Sequence, residues 1–585
     1  MKYPYLSEIR TSREMIDVFR GYNHNLRIGN GEFYDMKNLS SNDYPVLSPR
    51  ERRGIYKTPS LPQGMIAKDS LCYVDGGDFI IGEERIPMGL TVERDADGNI
   101  IPKNLISMGA YVIIMPDKRY INTSDPTDHG SIEASVTTSE PVSFTLCTLE
   151  GADYENVRVQ NNAPANPKNM DYWLDTSGTP HSLKQYSSTS AMWVSIATTY
   201  IKISALGIGA PFEVNDGVTI SGIKSEALAD LNSTMIIWAK GDNYIVVTGI
   251  LSEVTAQDEP ITVTRQMPNM DFVIESENRL WGCRYGEALN GEPVNEIYAS
   301  KLGDFKNWNC FMGISTDSYA VTVGTDGPFT GAIAFRGSPL FFKEGCMHKV
   351  YGNYPANYQV LTTACRGVQK GCSRSLAIVN ETLLYKSRAA VCAFDGSLPY
   401  EISEALGDEI YSDAAAGTLG NKYYISMRDA GGKYNLFVYD LQRGMWHRED
   451  GTRALTFCNC GGELYYLDPT HGQIKTVCGT GELETAPVEW EATTGIIGTD
   501  SPYKKYISRL DVRMSLELGA RVYFFAQYNS SGDWEQIGTM TGVKLDSFAV
   551  PMKPRRCDHL RLKIVGVGEA KIYSICKTIE QGSDV

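Results

Sequence analysis

Short apolar runs, each four to seven residues long and ended by turn residues, recur along most of this chain. The clearest lies in "LGNKYYISMRDAGGKYNLFVYDLQRGMWHRED", Leu419 to Asp450. Tyr, Phe, Ile and Val crowd two strand-length runs, and the turn Ala430-Gly431-Gly432 separates them as a hairpin. The pattern repeats. Behind it lie "SLAIVNETLLYKSRAAVCAFDG" (Ser375 to Gly396), "GAIAFRGSPLFFKEGCMHKVYG" (Gly331 to Gly352), and "SENRLWGCRYG" leading into "NEIYASKLGDFKNW", which ends at Trp308. Ahead lies "ALTFCNCGGELYYLDPTHGQIKTV" (Ala454 to Val477), and two weaker copies stand at Ile66–Ile86 and Leu105–Thr123. From Gly331 onward the period is roughly 40 residues, that of a four-stranded propeller blade.

These units predict an all-β chain built on a β-propeller of about seven blades, with six or eight left open. Ring closure is favoured because it leaves only short strand edges. Separate sandwiches would need longer units and linkers, which the sequence lacks. Two segments break the period. Residues 125–267 carry strand patterns such as "SIEASVTTSEPVSFTLCTL", with an Asn/Pro-rich stretch, "NNAPANPKNMDYWLDTSGTPHSLKQ", read as loop. This block is expected to be an inserted β-domain, a barrel or sandwich. Residues 481–585 show clear alternation in "YISRLDVRMSLELGARVYFFAQY", and a C-terminal β-sandwich is expected there. The expected organisation is therefore an N-terminal arm and first blades at 1–124, the insert at 125–267, the other blades at 268–480 and the sandwich at 481–585. The segment through Arg53 is too turn-rich for a blade. It is expected to supply strand or arm contacts that close the ring or bind a neighbour.

Composition changes this picture little. The 585 residues exceed one ordinary core. Tyr numbers 34 and Gly 55, which suits strands and turns, and a net charge of −15 argues against a broad surface that grips phosphate. The cluster Arg50, Arg52, Arg53 reads as a solvated or interface loop. No apolar leader or membrane-length run is visible, so the expectation is a chain without signal or span. The 13 cysteines are scattered and read as reduced core thiols.

Candidate chemistry is sparse. Asp326, Asp395 and Asp408 could be imagined as a glycosidase's carboxylates, which stand about 5–10 Å apart. The first two precede glycine at strand ends, where Asp caps turns. Cys458 and Cys460 share a strand face, with His471 as the nearest further ligand, and are read as packed thiols rather than metal ligands. Trp446 is read as a core plug between blades. "NSSGDWEQIG" (Asn529 to Gly538) resembles the turns of carbohydrate-binding sandwiches, but a hairpin whose Trp packs back on its sheet needs the same residues. No catalytic, cofactor-binding or metal-ligating residue is assigned, and no cofactor is expected.

Several stretches resemble structural proteins of bacteriophages: "NGEFYDMKNLSSNDYPVLSPRERRG" (Asn30 to Gly54), "IYASKLGDFKNW" (Ile297 to Trp308), "GDEIYSDAAAGTLGNKYYIS" (Gly407 to Ser426) and the C-terminal "RRCDHLRLKI". The resemblance is to the tail nozzle, or tubular tail, proteins of short-tailed phages. It implies a non-enzymatic virion protein in the phage tail, assembled in the host bacterial cytoplasm. It also implies a ring, commonly a hexamer, around a channel that DNA passes. Its partners would be neighbouring tail or portal-adaptor proteins and tail fibres. The alternatives are a tail-tip adaptor that docks receptor-binding fibres or binds saccharide and, from another class, a carbohydrate-active propeller enzyme.

Overall fold

The computed structural model describes residues 11–581 apart from 140, 289, 290, 500–502, 543 and 554. Among them, seven four-stranded units form the blades of a propeller. Blades one and two begin at Pro62–Ala67 and Asn104–Met108. Blades three to seven begin at Phe272–Ser276, Gly331–Phe335, Ala377–Val379, Ser412–Leu419 and Phe457–Cys460. These first strands pack side by side around the axis.

The second strand of each blade explains why the blades were legible. Leu71–Asp75 (LCYVD), Tyr111–Met115 (YVIIM), Ser338–Lys343 (SPLFFK), Thr382–Lys386 (TLLYK) and Glu463–Asp468 (ELYYLD) are apolar on both faces and almost wholly buried. A strand covered on both faces loses the in–out alternation and reads as one continuous apolar run. Each blade is covered on both faces by its neighbours. The hairpin into this second strand is also repeated. Glu277-Asn278, Arg336-Gly337, Asn380-Glu381 and Gly461-Gly462 each place two successive residues at positive φ, the two-residue turn whose twist matches its strands.

The ring closes through the N-terminal arm. Gly54–Lys57 pairs antiparallel with Gln473–Thr476 and supplies the fourth strand of blade seven. Gly54 has no alternative there, because a Cβ would meet the Thr480 carbonyl oxygen at 1.5 Å. Just before this strand, the buried Arg53 guanidinium meets Glu449 at 2.7 Å and Asp450 at 2.9 Å, both from the end of blade six.

The insert is two facing sheets, one from Ala134–Thr137 to Thr234–Ile236 and one centred on Tyr200–Ser204, with Phe144, Ile203 and Phe212 fully buried between them. The stretch from 161 to 185, expected to be loop, instead carries Tyr172–Asp175 and most of Ser182–Ser187 within a further four-stranded sheet. Its Pro and Asn residues mark the turns. The short runs between them still pair, because Trp173, Leu174 and Leu183 have a small core to enter.

The C-terminal region is two packed sheets, but the arm builds part of both. Thr11–Ile16 pairs along Ala570–Gln581 in one sheet. In the other, Glu32–Lys37 pairs with Glu489–Thr494, and Gly21–Tyr22 links it to blade six through Tyr22 opposite Trp446. One ten-stranded sheet thus runs from blade six into the sandwich. Residues 1–10 of the expected arm lie outside the described residues. No helix among the described residues is long and apolar enough to cross a membrane.

Two blade histidines are buried without a charge partner. Burial, with Lys422 adding, pushes His447 down to about 3, and burial with Lys343 pushes His348 down to about 4, against an ordinary value of 6.5. Each stays neutral in the fold and takes a proton on unfolding below its ordinary value. The unfolded chain then binds more protons, so stability falls as pH falls from about 6.5 toward 4. The slope is up to about 1.4 kcal/mol per pH unit for each histidine. Urea melts at stepped pH should show this slope, and His447→Gln should flatten it; an unchanged slope in that variant would rule out the assignment.

Candidate functional site

The first strand of each blade starts at the same end of the ring. The residues that open these strands therefore gather at one mouth of the axial channel. A cavity of about 610 Å³ occupies this mouth, lined by Asn104, Phe272, Ala332, Arg374, Asp413 and Arg453 among others. These residues come from blades two, three, four and six, from the turn that opens the fifth and from the loop before the seventh, so no single sequence segment contains the site.

Asp413 is placed by an irregularity. The pairing of Ser412–Leu419 with Lys422–Arg428 slips between Ser412 and Ala415, and Asp413 has φ +46°. Such a bulge re-aims a side chain, and Asp is among the few non-glycine residues that tolerate this conformation. The Asp413 carboxylate accepts from Arg374 Nη2 at 3.3 Å and, closely, from the Tyr434 hydroxyl. Burial, with Asp413 next, pushes the Tyr434 hydroxyl up to about 12. It keeps its proton at neutral pH and so donates to Asp413.

Arg453 lies over the Tyr434 ring at 5.0 Å, and its Nη1 donates to Asn99 at 3.3 Å. No carboxylate among the described residues stands within ion-pair distance of it. Arg374 is held below the ordinary arginine value by burial, and Arg453 adds to that push while Asp413 opposes it. Across the mouth, Asp271 accepts from Arg284 at 2.9 Å and from the Tyr285 backbone N–H at 2.9 Å. Asp95, also at the mouth, is held below the ordinary carboxylate value by hydrogen bonds from Asn99.

This arrangement offers two planar donors to an anion, a fixed acceptor between them and a second carboxylate on the facing wall. Arginine forks suit carboxylate, sulfate or phosphate groups. No cluster of three His, Cys, Asp or Glu side chains that could hold a metal occurs among the described residues.

The residues weighed from the sequence lie elsewhere. Asp395 caps its turn through Ser397 at 2.6 Å and 3.0 Å, and Asp326 accepts from Gly327 and from Tyr285. Asp408 is exposed on a loop. Cys458 and Cys460 sit beside the turn that opens blade seven's second strand, whereas His471 pairs with Asp468 at the far end of that strand, at 2.8 Å. The fold holds them apart. Trp446 is 1% exposed, donates to the Ile402 carbonyl at 2.7 Å and packs on Tyr439. Trp534 lies under the Lys563 ammonium, 4.7 Å away, back against its own sheet. The mouth residues Asp271, Arg374, Asp413 and Arg453 were missed. Their one shared signal is position, at or just before the first strand of a repeat.

No protein-family model matches the chain, and no curated protein matches it. Among solved structures it is similar to an exo-beta-1,3-galactanase from Phanerochaete chrysosporium with galactose, at 9% identity, covering 52% of this chain and 94% of that one, TM-score 0.21. It is similar to a Trypanosoma rangeli sialidase in complex with sialic acid, at 9% identity, covering 84% and 93%, TM-score 0.21. An engineered GH43 glycoside hydrolase with endo-xylanase and exo-arabinofuranosidase activity follows, at 10% identity, covering 52% and 96%, TM-score 0.20. None of these is a phage tail protein. The expectation of a non-enzymatic virion ring is corrected on this finding: these three are carbohydrate-active enzymes, the alternative class. At such identities and TM-scores no residue role or substrate passes to this chain, and the case for function rests on the mouth.

Proposed function

We propose that the protein is a carbohydrate-active propeller enzyme that cleaves a saccharide bearing an anionic group, bound at the axial mouth. The observation that carries this is the pairing of Arg374 and Arg453 around the Asp413–Tyr434 contact. Arg453, which has a neutral hydrogen-bond partner and an aromatic face but no ion pair among the described residues, is the first anchor for the anion, and Arg374 is the second. Asp413 is the carboxylate that acts at the anomeric centre, oriented by the Tyr434 hydroxyl. Asp271 is the second carboxylate that glycoside cleavage requires. Its pair with Arg284 is partly exposed at the mouth, where a substrate can reach it.

The test is a panel of uronate-bearing, sialylated, sulfated and phosphorylated oligosaccharides, each beside a neutral counterpart, with released sugars read by mass spectrometry. At least one anionic class should be cleaved and its neutral counterpart spared. Cleavage of neutral sugars alone, or none across the panel, would refute the reading.

A further inference from the structure

The C-terminal sandwich has a second cavity, unrelated to the axial mouth and independent of the function proposed for it. Residues 575, 577 and 579 share one face of the strand Ala570–Gln581, the face turned toward the opposite sheet. Ile575 and Ile579 pack into the core there, yet the residue between them is Lys577, which is 4% exposed. Its ammonium meets Glu14 at 2.9 Å, directly across the pairing with Thr11–Ile16.

Both groups border a cavity of about 250 Å³ between the two sheets, lined by Phe19, Phe33, Leu510, Val512, Phe524 and Ile564 among others. An apolar cavity of roughly 150 Å³ already stays dry and takes benzene. The lining between the two sheets also carries Asn30, Glu32, Thr494 and Thr499, so the chamber joins apolar walls to a few polar groups, the usual form of a small-molecule site. Packing alone does not account for the lysine, because a buried ion pair is commonly no better than apolar residues of the same volume. The pair is also lopsided: the Glu14 side chain is 34% exposed and the Lys577 side chain 5%. Glu14 can turn to water at small cost, whereas Lys577 cannot leave without drawing its strand along.

We infer that this cavity binds a medium-chain carboxylic acid, the apolar chain between the sheets and the carboxylate on Lys577 in place of Glu14. The cavity favours the chain over a compact polar ligand, and the charge of Lys577 favours an acid over an alcohol.

Calorimetric titration of the full chain with decanoate and with decanol tests this. Decanoate should bind. Lys577→Met should weaken decanoate at least about tenfold, the scale of a lost charge-assisted hydrogen bond, and leave decanol unchanged. Glu14→Gln should tighten decanoate several-fold by removing the competing carboxylate, and it keeps the test valid should Lys577→Met fail to fold. No decanoate binding by the unaltered protein, equal decanoate affinity in Lys577→Met, or no tightening in Glu14→Gln would each overturn the inference.

Discussion

Arg53→Ala is expected to cost about 3–5 kcal/mol of folding stability, because it removes one partner of a buried ion pair and leaves the others buried. Arg53 is 3% exposed and Glu449 4%. Burial works against the arginine's charge, but Asp450, Tyr466 and Glu449 outweigh it and hold the guanidinium well above its ordinary value. Burial likewise opposes the charge of Asp450, and Arg53 overcomes it and holds that carboxyl at about 2. Arg50 stands 3.6 Å from Asp450 and 4.0 Å from Glu449, so it compensates in part but does not replace the contacts of 2.7 Å and 2.9 Å. The loss should appear at the closure, since Arg53 leads directly into Gly54–Lys57. Chemical denaturation should show the lower stability, and limited proteolysis should cut the variant faster near Gly54. Lys57→Ala is the control. Its pair with Glu83 is solvent-exposed, so about 0–1 kcal/mol is expected. Equal losses in the two variants would contradict this account of ring closure.

Asp413→Asn is expected to lower kcat on the anionic saccharide by about 10²–10⁴-fold, the range for removing a group that transfers a proton or forms the intermediate. The choice of Asn matters. Asp413 stands at φ +46°, a conformation that Asn also adopts, so the bulge should persist and the melting transition should stay in place. Arg453→Ala should act differently, by raising KM for the anionic substrate with a smaller change in kcat, the signature of lost binding common to ground and transition states. A variant Asp413→Asn that keeps full activity and a normal melt would remove Asp413 from the chemistry.

The repeat was legible because a blade's middle is buried on both faces, so strands such as YVIIM and TLLYK show as unbroken apolar runs. The two-residue turns before several of them punctuate those runs at regular intervals. Three things were not legible. The pairing of Thr11–Ile16 with a strand near the C-terminus depends on contacts between chain ends, which no local pattern encodes. The strand Tyr172–Asp175 is too short, and too flanked by Asn and Pro, to stand out until its partners are known. The site was hidden for a geometric reason: Arg374, Asp413 and Arg453 are each about a blade apart in sequence and meet only when the ring closes. Asp413 was harder still, since the bulge that turns it has no residue signature. The carboxylates that did attract notice, Asp326 and Asp395, precede glycine because they cap turns. The phage-like stretches fall on the arm, on blades three and six and on the sandwich; of the four mouth residues, only Asp413 lies within one of them.

The central claim is that an anionic saccharide is held between Arg374 and Arg453 with its reacting carbon beside Asp413. The most direct measurement is a structure of the Asp413→Asn protein soaked with the oligosaccharide selected by the panel. The account predicts a sugar in the axial mouth, its anionic group on both guanidinium groups and its glycosidic bond facing residue 413. An empty mouth with the sugar bound elsewhere, against Trp534 or on the inserted sheets, would contradict it.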